Sequence, residues 1–192
     1  CMRTPTAISL FSGCGGMDLG FVQAGFDVLW ANDINGFACK TYAHNIGDHI
    51  IHGDITEIDY QSIPTADIII GGFPCQDFSM LWKRGGVSTD RGNLYKNFVD
   101  LVAQKNPKVF VAENVKGILT ANKKQAIKQI IEDFSDTGEI GYNTKAILVN
   151  FANYGVSQLR ERVLIIGVRK DLDVEFVAPQ VLNTSDNYVP SK

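Results

Sequence analysis

Cys75 stands in the stretch GGFPCQDFS (71–79), directly after the apolar run ADIIIGG (66–72). A thiolate is a competent nucleophile, and a Gly-Gly-x-Pro turn presents a side chain to a cleft more readily than to a core. The plain alternative is a buried cysteine acting as a small hydrophobe. FSGCGGMDLGF (11–21) holds Gly13, Gly15 and Gly16, which allow a tight turn and a close approach of backbone to ligand, and which serve a simple turn into a helix equally well. Asp33 follows Gly13 by twenty residues, a spacing at which an acidic side chain binds ribose hydroxyls. The spacing also suits a nicotinamide enzyme, but GxGxxG fails because Asp18 takes its third glycine position. Asp54 in HGDIT (52–56) is a second carboxylate able to meet an adenine amino group, although an aspartate there commonly caps a turn.

Two further segments complete the set. AENVKG (112–117) carries Glu113 and Asn114. The apolar VFVA before Glu113 and Val115 after it imply partial burial, and a desolvated carboxyl holds its proton more readily and can donate it. QLRER (158–162) offers Arg160 and Arg162, whose alternation could send both into one cleft; a solvated pair is the plain reading. A Ser-His-Asp triad is set aside, since His44, His49 and His52 cluster with no serine elbow near them.

Positioning these residues falls to an alternation of short apolar runs and helical patterns. AISLF (7–11), DVLWAN (27–32), HIIHGD (49–54), ADIIIGG (66–72) and KVFVAEN (108–114) read as strands, and the segments near 16–24, 35–46, 94–105 and 122–135 carry apolar residues at helical spacing. That is an α/β, doubly wound, mostly parallel sheet with helices on both faces, in which ligands bind beyond the carboxyl ends of the strands. NTKAILVNF (143–151) and ERVLIIGVR (161–169) are too close together for a crossover helix, so they predict a C-terminal antiparallel hairpin at the sheet edge. Residues 77–92 lack periodicity and carry Gly85, Gly86 and Gly92, the pattern of a long functional loop.

Composition narrows the class. With 192 residues and 45% hydrophobic content, the chain can bury a full core in one domain. No run reaches the roughly 20 apolar residues that span a bilayer, so the expectation is a cytoplasmic protein without a membrane partner. Cys1, Cys14, Cys39 and Cys75 form neither a CxxC pair nor a disulfide framework, so no metal site is expected. A net charge of -3 argues against a wholly basic nucleic-acid binder and leaves local patches open.

Taken in order, these motifs resemble the C5-cytosine DNA methyltransferase family, which uses S-adenosylmethionine and releases S-adenosylhomocysteine. FSGCGGMDLGF is similar to the family's first cofactor motif, GGFPCQDFS to its nucleophile motif, ENVKG to its glutamate motif and QLRERVLIIGVR to its arginine motif. The resemblance covers residues 6–170 and implies a class I, Rossmann-like fold. It implies that Cys75 adds to cytosine C6, that Glu113 contacts N3 and the exocyclic amine, and that Arg162, with Arg160 nearby, steadies O2. The base must be flipped from double-stranded DNA. The loop from Asp77 to Gly92 is the implied lid, with Gln76, Ser79, Lys83, Arg84 and Arg91 as DNA contacts. On the cofactor side the resemblance assigns Phe11, Gly13, Cys14, Gly15 and Gly16 to the methionine portion, Asp33 to ribose, Ile34, Asp54 and Ile55 to adenine, and Pro74 and Leu94 to the wall.

Family members continue past the arginine motif into a target-recognition region, so residues 1–178 read as an incomplete catalytic domain and 179–192 as a tail or linker. The missing part would be a further segment or a second polypeptide, in a bacterial or phage restriction-modification setting. The rivals are a tRNA cytosine methyltransferase of the same family and a non-catalytic regulatory subunit, the latter at odds with intact Cys75, Glu113 and Arg162. Residues 1–192 alone are expected to bind cofactor weakly and to methylate poorly or not at all; sequence-specific turnover by this purified chain, followed with a tritiated methyl donor, would contradict that.

Overall fold

The computed structural model describes residues 3–74 and 94–190. Seven strands form one sheet: β1 (Thr6–Leu10), β2 (Asp27–Asp33), β3 (Ile50–His52), β4 (Ile68–Gly71), β5 (Val109–Val115), β6 (Tyr142–Asn150) and β7 (Glu161–Arg169). Their spatial order is β3-β2-β1-β4-β5-β7-β6. Strands β1 to β5 are mutually parallel, and β7 runs antiparallel to both β5 and β6. The predicted hairpin is therefore present, with β7 inserted next to β5 and β6 forming the edge.

Four helices lie among the described residues: α1 (Gly16–Gln23), α2 (Gly36–Asn45), α3 (Leu94–Lys105) and α4 (Gln125–Ser135). Central strands of a parallel sheet are covered on both faces and so read as continuous apolar runs. Strand β4, Ile68 to Gly71, is buried at every position. Ile8, Leu10 and Ile69 face α3 and α4, joining Phe98, Leu101, Ile130 and Phe134 in the main core. Ala7, Ile68 and Ile70 face the other way, against Met17 and Phe21 of α1. An aromatic layer fills the main core, with Phe110 and Phe134 stacked at 4.1 Å between ring centroids. Helix α2 begins where the Asn35 side chain accepts from the Phe37 and Ala38 amides, satisfying two otherwise unpaired donors.

This topology decides where the chemistry gathers. The five parallel strands all end at one edge of the sheet. Because β7 is reversed, its first residues reach that same edge: Arg162 is paired in register with Val115, the last residue of β5. At the opposite edge Asp67 ties the strand starts together. Its carboxylate accepts from the Thr6 amide at 2.9 Å and from Lys108 Nζ at 3.0 Å, and it is ion-paired to Arg3 at 2.6 Å.

The Thr6 amide first, and then the neighbouring cations, hold the Asp67 carboxyl well below the usual carboxylate range. A depressed folded-state pKa stabilises the fold above the unfolded value of about 3.9, and that contribution is lost as pH falls through the folded value. Asp67→Asn is expected to lose about 1–3 kcal/mol in urea unfolding at neutral pH, with the gap to the parent closing as pH is lowered below about 4. A gap that stays constant into strong acid would contradict this account of the clamp.

Candidate active site

Strand β1 stops at Leu10 because the next residues leave extended geometry. Phe11 takes φ 55 and Gly13 φ 55, and Gly15, at φ 88, precedes the first turn of α1. A left-handed phenylalanine costs of the order of 1 kcal/mol or more, and such strain is concentrated at ligand loops. The turn is fixed by backbone bonds from Ser12 N–H to the Asn32 carbonyl (3.0 Å) and from Gly15 N–H to the Ser12 carbonyl (2.9 Å). Gly13 N–H donates to Asp33 Oδ2 at 2.8 Å, and Asn35 N–H donates to Asp33 Oδ1 at 2.8 Å. Asp33 thus braces the glycine loop, and each of its oxygens retains a lone pair for a ligand hydroxyl.

The rest of the residues expected to meet a cofactor are spread along the same edge. Ile34 is 67% exposed beside Asp33, an apolar surface open for a flat ring. Asp54 caps a short 3-10 turn, Ile55–Glu57, accepting from the Thr56 amide and hydroxyl. The amide first, and then the hydroxyl, lower the Asp54 carboxyl from its usual range. Ile55 is buried in the main core, and Leu94, the first residue of α3, is half-buried against it. Cys14 and Pro74 are exposed.

Across the cleft, Glu113 and Arg162 meet. Arg162 Nε lies 2.7 Å from Glu113 Oε1, with side chains 20% and 24% exposed respectively. Strand pairing explains the contact: Glu113 is opposite Leu164 and Arg162 opposite Val115, so the two charges are diagonal neighbours on one face of the β5–β7 ladder. Glu113 is partly buried, as its apolar neighbours imply, and the opposite charge of Arg162 sits directly upon its carboxylate. Close behind lies Gly72, where an added Cβ would stand 3.2 Å from Glu113 Oε2, so a glycine is what lets the carboxylate lie against the β4 exit. Asn114 points to the other face and is buried; its Nδ2 donates to the Phe73 carbonyl at 3.0 Å, and its Oδ1 accepts from the Val115 amide. Asn114 therefore anchors the turn that leads into Pro74. Sequence reading placed Asn114 at this edge but gave it no role; the ENV triplet was the available signal.

A cleft of about 770 Å3 connects the two sides, with Phe11, Ser12 and Gly16 from the glycine loop on one wall and Gly72, Glu113 and Arg160 on the other. Its floor is the apolar face of β5, β7 and β6, including Val111, Leu164 and Ile147. Arg160 is exposed, and its backbone N–H is held by Asn150 Oδ1. Gly13, Cys14, Gly15, Asp33, Ile34, Asp54, Ile55, Pro74, Leu94 and Arg162 are not among the residues that line this cleft. Cys75, Gln76, Ser79, Lys83, Arg84 and Arg91, with the rest of the expected lid, lie outside the described residues.

The family model described as C-5 cytosine-specific DNA methylase matches residues 6–192. The Type II methyltransferase M.NgoFVII of Neisseria gonorrhoeae is 58% identical over 92% of this chain and 47% of its own length. The Type II methyltransferase M.FnuDI of Fusobacterium nucleatum is 40% identical over 96% of this chain and 57% of its own. The chain spans about half the length of the curated relatives it matches. Among solved structures, a mutant DNMT2 of Spodoptera frugiperda superposes with a TM-score of 0.72, at 22% identity over 93% of this chain and 56% of that one, a likeness of fold.

Asn114→Ala would remove the Asn114 Nδ2 hydrogen bond to the buried Phe73 carbonyl. The expected loss is about 1–3 kcal/mol in urea unfolding, accompanied by faster amide exchange at Phe73 and Val115. A variant as stable as the parent, with unchanged exchange, would show that Asn114 does not anchor the turn.

Proposed function

The chain belongs to the C-5 cytosine-specific DNA methylase family, and on that premise we propose that it is the cofactor-binding and base-attacking portion of a DNA (cytosine-5-)-methyltransferase of a restriction-modification system. Its fold is the class I, Rossmann-like one of that family. The observation that carries the proposal is the Glu113–Arg162 pair, held at the strand edge beside the Gly72–Pro74 turn that runs directly into Cys75. Activation of a pyrimidine ring requires a nucleophile, a carboxylate and a guanidinium, and this pair supplies the last two.

Cytosine C5 is a poor nucleophile until something adds to C6. In the proposed sequence the Cys75 thiolate forms the S–C6 bond, and the ring electrons move toward C5. Glu113 holds N3 and the exocyclic amine, favouring the protonated ring that accepts those electrons, while Arg162 steadies O2. S-adenosylmethionine, when bound, supplies a methyl group activated on a sulfonium, and C5 is the atom that takes it. Loss of the C5 proton then lets the electrons return and expel Cys75 as thiolate, leaving 5-methylcytosine.

The residues present fit such a cofactor. The turn with left-handed Phe11, Gly13 and Gly15 brings Phe11 and Ser12 to the cleft, Asp33 keeps acceptor capacity for ribose hydroxyls, and exposed Ile34 with Asp54 suits an adenine ring. Double-stranded DNA is the proposed substrate in a cytoplasmic setting, its base flipped into the cleft. Residues 1–178 are proposed as catalytic domain, with 179–192 leading toward a target-recognition region; the greater length of the relatives supports such a region.

In the complete enzyme, Cys75→Ala is expected to abolish covalent trapping on a duplex carrying 5-fluorocytosine, read as a denaturation-resistant band. Glu113→Gln should lower turnover by about 10²-fold or more while duplex binding is kept. Trapping that survives the loss of Cys75 would overturn the assignment of the nucleophile.

A further inference from the structure

Beneath the glycine loop, five side chains outside the proposed chemistry form a single hydrogen-bonded chain. Ser12 Oγ donates to Ser9 Oγ at 2.9 Å, and Ser9 Oγ donates to Asp18 Oδ1 at 2.8 Å. From the other side Tyr42 donates its phenolic proton to Asp18 Oδ2 at 2.7 Å, and the Tyr42 oxygen lies 3.0 Å from His49 Nε2. Since the single phenolic proton is engaged with Asp18, the Tyr42 oxygen accepts from His49, which places a proton on Nε2. Each bond of the chain thus points toward the carboxylate of Asp18.

This carboxylate is fully buried, as are Tyr42 and Ser9. Burial pushes the Asp18 carboxyl up from its usual range, and the Tyr42 and Ser9 hydroxyls oppose that rise. A carboxylate without solvent is costly unless its lone pairs are filled, and here both oxygens are bonded. Asp18 has no direct ion-pair partner among the described residues. An apolar residue on α1 would avoid the burial cost, so what the aspartate provides is orientation of its neighbours.

Both arms end on the loop. Ser12 sits between the backbone bond it makes to Asn32 and the one it accepts from Gly15, and it lines the cleft beside Phe11 and Gly16. On the other arm, the Tyr42 ring closes against Gly15: a Cβ there would stand 2.7 Å from Tyr42 Cδ2 and 2.1 Å from Ile46 Cδ1. The loop is therefore held from its Ser12 side by a hydroxyl relay and from its Gly15 side by a ring, and Asp18 joins the two.

We propose that Asp18 is a positioning residue for the cofactor loop, setting Ser12 and Gly15 through Ser9 and Tyr42 so that the loop is preorganised for an adenosyl-sulfonium ligand. This rests on the reading of the loop as an S-adenosylmethionine site. Without Asp18 the loop samples other positions, and ligand binding must order it, which weakens affinity without removing any contact to the ligand.

The test is calorimetric titration of the complete enzyme with S-adenosylhomocysteine, alongside thermal melting. Ser12→Ala, at a half-buried position, should melt close to the parent yet bind about five- to tenfold more weakly, a loss of one hydrogen bond's order, and Ser12→Thr should restore binding. Asp18→Asn, which turns one arm's acceptor into a donor, should weaken binding similarly. Ser12→Ala should then add little in the Asp18→Asn background, because both act through one relay. Should Asp18→Asn fail to fold, Tyr42→Phe takes its place in the cycle. Variants that bind like the parent, or losses that simply add, overturn the proposal. A parent that does not bind S-adenosylhomocysteine at any concentration overturns the cofactor reading itself, and the proposal with it.

Discussion

A carboxylate and a guanidinium held 2.7 Å apart across the β5–β7 ladder are the contact around which the rest of this molecule is arranged. Two long charged side chains meet there because a reversed strand lies beside a parallel one. Were β7 parallel to β5, Arg162 would lie at the far edge of the sheet, with Asp67, and Glu113 would face the cleft without a partner. The reversal costs nothing in backbone pairing, since antiparallel ladders are at least as stable as parallel ones. What it adds is a cation at the ligand edge, fixed in position by seven register pairs from Val109 to Val115.

From that contact the site extends in two directions that differ in character. Toward β4, Gly72 makes room for the Glu113 carboxylate and Asn114 ties the Phe73 carbonyl, so strand β5 controls both faces of the turn that enters Pro74. Toward β1 and β2 the groups are acidic or backbone: Asp33, Asp54 and the amides of a strained glycine loop. Asp33 and Asp54 thus lie on the proposed adenosyl side, and Arg160 and Arg162 on the proposed base side. The division matches a ligand pair in which hydroxyls and an amine need acceptors, and a ring oxygen needs a donor.

Much of this was legible beforehand, for identifiable reasons. Strand β4 was readable because both its faces are buried, which leaves IIIG with no polar position to confuse the pattern. The β6–β7 hairpin was readable because the connection is too short for a crossover. Glu113 and Arg162 were each placed at the right edge, but their pairing depends on the β5–β7 register, which no local pattern encodes. Asp18 was noticed only as a missing glycine; its hydroxyl partners, Ser9 and Tyr42, come from β1 and α2, and packing alone assembles them. Asp54 caps its turn, the plain reading of its position, whereas the hold of Asp33 on the Gly13 and Asn35 amides is something its spacing cannot reveal.

The central claim is that this edge receives a cytosine between Cys75 and the Glu113–Arg162 pair. It is tested most directly by a crystal structure of the complete enzyme trapped on duplex DNA containing 5-fluorocytosine, in the presence of S-adenosylmethionine. The account predicts continuous density from Cys75 Sγ to C6 of an extrahelical ring, with the Glu113 carboxylate within hydrogen-bond distance of N3 and the Arg162 guanidinium at O2. A ring bound elsewhere, or one in this cleft that touches neither side chain, would contradict it.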